Sequence, residues 1–200
     1  VRIPGANLDG VLVNTHFLRD VRLNKYTRGE NGKVKAEDAP PLGQKVLVLG
    51  GGNVAIDCAR SAIRLGCEVH LACLEDRENM PAHAWEIEAA EEEGVVLHPG
   101  RTFEQILGDE NGHVIGVECM RVASFSFDEV GHLHVEKVPD TKHVIPCDTV
   151  IFSVGQRAGL AFIPEDAGVG ITERQTIAIN PNTMAATRPG VFAAGDSVSG

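Results

Sequence analysis

Several classes of protein are excluded by what this sequence does not contain. Its longest apolar runs, around VLVLG and VIFSVG, are far too short to cross a bilayer, and no basic segment followed by an apolar one opens the chain. No membrane association and a cytoplasmic address are therefore expected. A basic stripe is absent too: the formal net charge is −10, which argues against binding a phosphate backbone. Five cysteines (Cys58, Cys67, Cys73, Cys119, Cys147) form no C-x-x-C pair, and several fall inside helix or strand patterns. They read as reduced core residues, with no metal or redox role. There is no internal repeat and no low-complexity segment. With 43% apolar residues in 200, the chain can still build one or two cored domains.

What is present is organised by strand and helix periods. The stretch YTRGENGKVKAEDAPPLGQ, Tyr26 to Gln44, is rich in charge, Gly and Pro and lacks periodicity, so it reads as a connection. KVLVL (Lys45 to Leu49) then has the composition of a strand buried on both faces of a parallel sheet. Three glycines follow, and Val54, Ala55, Cys58, Ala59, Ala62 and Ile63 recur at helical spacing until Gly66 supplies a stop. EVHLACL is the next strand, which completes a βαβ unit. A second helix is expected from Ala82 to Glu93, opened by Pro81 and closed by Gly94, with VVLH as the third strand.

Beyond that point the pattern turns antiparallel. Ile106-Leu107 and His113 to Val117 flank Asn111-Gly112, a hairpin signal, and HLHVEKV and HVIPC continue as a meander. His132 and His134 share one strand face, and two such residues without a third ligand predict a solvated hairpin surface. DTVIFSVG returns to an apolar pattern, and two strand-like pieces, TIAIN and GVFAAG, close the chain. The expected fold class is α/β, a doubly wound Rossmann-like parallel sheet carrying an antiparallel β-meander.

The chemistry-bearing stretch is Gly50-Gly51-Gly52-Asn53-Val54-Ala55, a G-x-G-x-x-A placed after a strand and opening a helix. Gly50 allows the tight turn, Gly52 lets backbone approach a pyrophosphate, and Ala55 keeps the helix close to the sheet. The helix N-terminus then favours the anion. Glu75, twenty-three residues after Gly52 at the end of the second strand, has the spacing of a carboxylate that binds the adenosine ribose. Such an acid favours NADH and repels the extra phosphate of NADPH. A second reading stays open, in which Glu75 is a solvated loop acid neutralised by Arg77.

These motifs, together with GANLDGV, Phe17-Leu18, ENMPA, EEEGV, DTVIFSVGQ and PGVFAAGD, resemble the small-subunit (beta) family of glutamate synthase. The resemblance covers nearly the whole chain. It implies an NAD(P)-binding domain of the glutathione-reductase class inserted into an FAD domain, with electrons passing from NAD(P)H to FAD. Iron-sulfur clusters elsewhere in the assembly would carry them to an electron-accepting subunit or a ferredoxin-like partner. On that pattern residues 1–41 are a partial FAD-domain segment and linker, 42–155 the NAD(P)-binding domain, and 156–200 a partial FAD-domain segment.

The resemblance carries Gly50, Gly52, Asn53, Val54 and Ala55 over as dinucleotide contacts. Asp57 either orients the nicotinamide ring or, as an acid in the first helical turn, favours the helix dipole. Gly155 and Gln156 mark the crossing back to the FAD domain, and Gly195 and Asp196 match the second FAD signature. Many relatives carry two arginines where Leu74 and Glu75 stand, so NADPH preference is in doubt, although Arg77 or Arg101 could substitute. The chain contains one Gly-rich loop and no cysteine cluster, so it is expected to be a piece of a longer protein, inactive alone, binding nucleotide but FAD weakly or not at all. A thioredoxin reductase would need a cysteine pair, and a short-chain dehydrogenase Tyr-x-x-x-Lys, whereas Tyr26 is followed four positions later by Glu30. From a different class, a non-catalytic NAD-binding regulatory module is the alternative.

Overall fold

A computed structural model of the chain describes residues 3–29, 32–128, 133–155 and 159–199, and packing divides it into two units, Val1–Val154 and Gly155–Gly200. In chain order the first unit opens with β1 (Val11–Val13), α1 (Asn14–Arg22), β2 (Tyr26–Arg28) and β3 (Val34–Ala36). Then come β4 (Lys45–Leu49), α2 (Asn53–Arg64), β5 (Glu68–Ala72), α3 (Ala84–Glu92) and β6 (Val96–His98). It ends with β7 (Gln105–Gly108), β8 (Val114–Cys119), β9 (Val122–Phe127), β10 (Leu133–Lys137), β11 (His143–Pro146) and β12 (Thr149–Phe152).

Five strands form a parallel sheet in the order β1-β12-β4-β5-β6. The alternation of β4 explains why its sequence is apolar throughout. Val46 and Val48 pack with Phe17, Ile56, Ala59 and Ile87 of the helices, while Leu47 and Leu49 pack with Ile106, Val114, Val117 and Ile145 of the antiparallel strands. One face of the sheet is therefore covered by α1, α2 and α3, and the other by a three-stranded sheet in the order β11-β8-β7. The helix side of α2 is built from small residues, with Ala55, Cys58, Ala59 and Ala62 fully buried, so its axis lies close to the strands.

The α/β class with a parallel sheet is what the sequence pattern predicts, and the Asn111-Gly112 hairpin joins β7 to β8 with Gly112 at φ +83°. Other expectations need correction. The supposed connection Tyr26 to Gln44 contains the antiparallel pair β2–β3, registered Tyr26 to Ala36. The meander is interrupted, because β9 and β10 pair with each other as a separate ribbon and β11 returns to β8. The second helix starts at Ala84, two residues later than expected, because His83 takes an extended conformation (φ −61°, ψ 136°) as its N-cap.

The boundary expected at residue 42 also gives way. β1 pairs in parallel with β12, α1 packs on α2, and the GANLDG segment is fixed by its backbone. Ile106 N–H donates to Pro4 O, Asp9 N–H to Gly112 O and Val150 N–H to Gly10 O, each at 2.9 Å. A side chain on Gly5 would collide with the Ile106 carbonyl. Residues of the expected first segment thus belong to the parallel sheet.

The second unit is built from short pieces: two 3-10 turns, Leu160–Phe162 and Glu165–Ala167, and a four-residue helix α4 (Asp196–Ser199). TIAIN and GVFAAG contribute isolated bridges (Ile171 with Ile177, Ile179 with Ala186, Ala185 with Phe192) in place of the expected strands. Each pairs at one position, so no ladder forms. Among the described residues no helix is long and apolar enough to cross a membrane.

Candidate functional site

The carboxyl ends of β4, β5 and β12 meet at the Gly-rich loop. Gly50 continues β4, its N–H donating to Ala72 O at 2.8 Å, and takes φ +132°, a conformation L side chains rarely adopt. A Cβ there would also lie 2.5 Å from Ser153 O. Gly51 is pressed against β5: its added Cβ would sit 3.0 Å from Cys73 Cβ and 3.0 Å from Glu75 Oε2. Gly52, the N-cap of α2, differs from both. Its φ of −88° suits any residue, and an added Cβ would meet nothing within 4 Å.

Protein packing therefore explains glycine at 50 and 51 but not at 52. The amides of Gly51, Gly52, Asn53 and Val54 find no acceptor among the described residues, while Ala55 and Ile56 N–H bond to Gly52 O. Donors in this arrangement, at the positive end of a twelve-residue helix, can hold a diphosphate that approaches over the bare face of Gly52.

Glu75 lies where the spacing predicts, its carboxylate beside Gly51 and its carbonyl accepting Gly100 N–H at 2.7 Å. Burial, then the Glu75 charge, pushes the neighbouring Cys73 thiol up to about 12. Arg77 does not neutralise Glu75: its guanidinium Nε and Nη2 donate to the Glu91 carboxylate of α3. Arg101 is likewise turned inward, with Nη1 on the carbonyls of Pro99 and Gly100 and a buried Nε that has no partner among the described residues. Both guanidinium groups are thus bonded elsewhere in this structure.

Asp57 is exposed and is the fifth residue of α2, beyond its first turn, so the helix-dipole reading does not hold. Gly155, at φ +67°, opens the second unit, and Gln156 lies outside the described residues, as does His132. Gly195 takes φ +66° and Asp196 starts α4 with its side chain exposed. All five cysteines are free and buried.

Two features escaped the sequence reading. The segment before α3 is bonded to the glycine loop, Ala82 N–H to Gly51 O and His83 N–H to Asn53 Oδ1, both at 3.0 Å. In the first turn of α3, Glu86 Oε2 is buried without a hydrogen-bond partner among the described residues. The ENMPA motif hinted at the first, but no period or spacing marks a contact between loops. A cavity of about 600 Å³ near Leu12, Leu42 and Thr149 opens at the amino ends of β1 and β12, the wrong end of a parallel sheet for a dinucleotide.

The family model described as "Pyridine nucleotide-disulphide oxidoreductase" matches residues 2–200. The chain belongs to this family. It is 41% identical over 192 residues to the NADP(+)-dependent formate dehydrogenase subunit beta of Moorella thermoacetica, covering 96% of this chain and 25% of that protein. It is 44% identical over 137 residues to the NADPH-Fe(3+) oxidoreductase subunit beta of Geobacter sulfurreducens, covering 68% of this chain and 20% of the relative. The glutamate synthase [NADPH] small chain of Azospirillum brasilense is 32% identical over 215 residues, covering 100% and 41%. The chain thus spans well under half the length of these relatives.

Among solved structures, the pyridine nucleotide oxidoreductase fold is shared with T. acidophilum thioredoxin reductase (TM-score 0.66, 20% identity, 99% of this chain and 53% of that one). Mycobacterium tuberculosis FprA in complex with NADPH matches at TM-score 0.66 and 15% identity, over 100% and 55%. The cofactors the family implies are NAD(P)H and FAD, and the loop after β4 has the donors and the open face that a pyrophosphate needs.

Proposed function

We propose that this chain is the NAD(P)H-binding part of a flavin-dependent oxidoreductase that passes electrons from NAD(P)H through FAD to a partner. The observation that carries the proposal is Gly52: backbone and packing permit a side chain there, so the reason for glycine is a ligand. In this reading Gly50 to Ala55 seat the pyrophosphate and Glu75 receives the 2′- and 3′-hydroxyls of the adenosine ribose. Asp57 faces the nicotinamide half. Gly155 and Gln156 mark the crossing between units, and Gly195 and Asp196 meet the FAD.

When bound, the nicotinamide nucleotide would be held by the Gly50 to Ala55 loop and Glu75 and would supply a hydride to the flavin. The chain's own residues bind the dinucleotide, fix its direction across the sheet edge and keep water from the transfer, and no side chain is required as acid or base. The onward acceptor is an iron-sulfur centre, a ferredoxin-like protein or a glutamate synthase-type subunit. Its choice lies with the partner.

The same reading favours NADH. Relatives' names specify NADP(+) or NADPH, yet here Glu75 stands beside Gly51 and Arg77 is spent on Glu91. A carboxylate at the adenosine-ribose position would repel a 2′-phosphate. Titration of both nucleotides should give tighter NADH binding, and Glu75→Ala should narrow the gap by about tenfold. NADPH binding ten times tighter than NADH to the unaltered chain would reject this preference.

A further inference from the structure

The segment Met80 to Trp85 is held against the glycine loop by two backbone donors, Ala82 to Gly51 O and His83 to Asn53 Oδ1. Directly after those bonds the His83 imidazole and the Trp85 indole stack, their planes 9° apart and their centroids separated by 6.3 Å. Both are exposed, Trp85 at 63%, in a chain with only one tryptophan. Both residues therefore stand exposed on the segment that is bonded to the glycine loop.

The stack has no role in the core, where Ile87 and Ala90 are the buried residues of α3. What it does is fix one imidazole. His83 has its backbone tied to the side chain of Asn53, the first residue of α2, and its ring stacked on the indole, so residue 83 stands next to the seat formed by Gly51 to Val54 with its imidazole exposed. A ring nitrogen there can donate to a phosphate oxygen that approaches over Gly52. Arg60 and Arg64, the cations of α2, are committed to Glu93, and Arg77 to Glu91.

We infer that His83 is a pyrophosphate-binding residue of the dinucleotide site and that Trp85 is a positioning residue that holds its ring. The inference rests on the assignment of the Gly50 to Ala55 loop to NAD(P)H. It adds a side-chain donor to a site otherwise built from backbone amides, and its ligand class is the diphosphate bridge of a dinucleotide.

Because Trp85 is the sole tryptophan, its emission reports the site without a label. In the 200-residue chain, NADH and ADP are titrated separately, binding being followed by equilibrium dialysis and by Trp85 emission, with adenosine as the phosphate-free control. The expected result is a change of Trp85 emission with NADH and ADP and none with adenosine. His83→Ala weakens NADH and ADP about tenfold, the loss of one hydrogen bond to a charged group. Trp85→Phe keeps a stacking ring and stays within about threefold of the unaltered chain, whereas Trp85→Ala follows His83→Ala. Circular dichroism confirms that each variant is folded. Dialysis showing NADH bound, with Trp85 emission unmoved and His83→Ala unaffected, overturns this inference and leaves the proposed function standing. Failure of the unaltered chain to bind either NADH or ADP overturns both.

Discussion

Three adjacent glycines do three different jobs, and substitution separates them. Gly50→Ala places a Cβ at φ +132° against Ser153 O, so it should cost at least ~2 kcal/mol and lower the unfolding midpoint in a urea titration. Gly52→Ala meets no protein atom and should leave stability within about 1 kcal/mol while weakening NADH at least tenfold. Equal nucleotide affinity for Gly52→Ala and the unaltered chain would remove the reason given for this glycine. The buried thiols give a second residue-scale expectation. Burial pushes Cys58, Cys73, Cys119 and Cys147 up to about 12 and Cys67 to about 11. A thiol reagent at neutral pH should therefore modify none of the five until denaturant is added. At this scale the sequence was informative about Gly50, whose positive φ the motif anticipates, and about Glu75 lying beside the glycine loop. One reading of the sequence paired Arg77 with Glu75 where the structure pairs it with Glu91, because which of several nearby acids an arginine meets depends on where α3 lies.

Elements were legible where their periods are long and their surroundings apolar. β4, α2, β5 and β12 follow from runs buried on both sides or on one helical stripe. The three-residue strands β1, β2 and β3 offer too few positions for a period, and β2–β3 hides in a stretch whose charge and glycine mimic a linker. The start of α3 differs from expectation because Pro81 is a good first residue for a helix, whereas His83 is extended (φ −61°, ψ 136°) and serves as the N-cap. The β5–β6 edge carries a pH-dependent contact. His70 Nδ1 and His98 Nε2 are 2.8 Å apart, and burial first, then the charges of His70, Arg101 and His143, hold His98 below the usual imidazole range. The folded state then binds fewer protons than the unfolded one as pH falls past ~6.5, so stability should drop from pH 7 to 5. His98→Phe should flatten that slope in thermal melts, and an unchanged slope would assign it to other groups.

At the scale of the molecule, the parallel sheet brings the ends of β4, β5 and β12 together, and the glycine loop, Glu75 and the His83–Trp85 pair follow from that convergence. Membership of the pyridine nucleotide-disulphide oxidoreductase family accords with this layout, while the chain spans 25%, 20% and 41% of three relatives that include two named beta subunits. The GANLDG motif shows how far family pattern and packing diverge: the family pattern assigns it to a separate segment, yet its backbone bonds tie it to β8 and β12, and Pro4 just before it to β7. The decisive measurement is made on the full-length protein that carries this chain, purified with its flavin and mixed anaerobically with NADH. The account predicts that the visible flavin band bleaches with the unaltered protein, and that Gly52→Ala keeps the band but bleaches at least tenfold more slowly at low NADH. Bleaching at the same rate in both proteins, or no bleaching by either nicotinamide nucleotide, would contradict it.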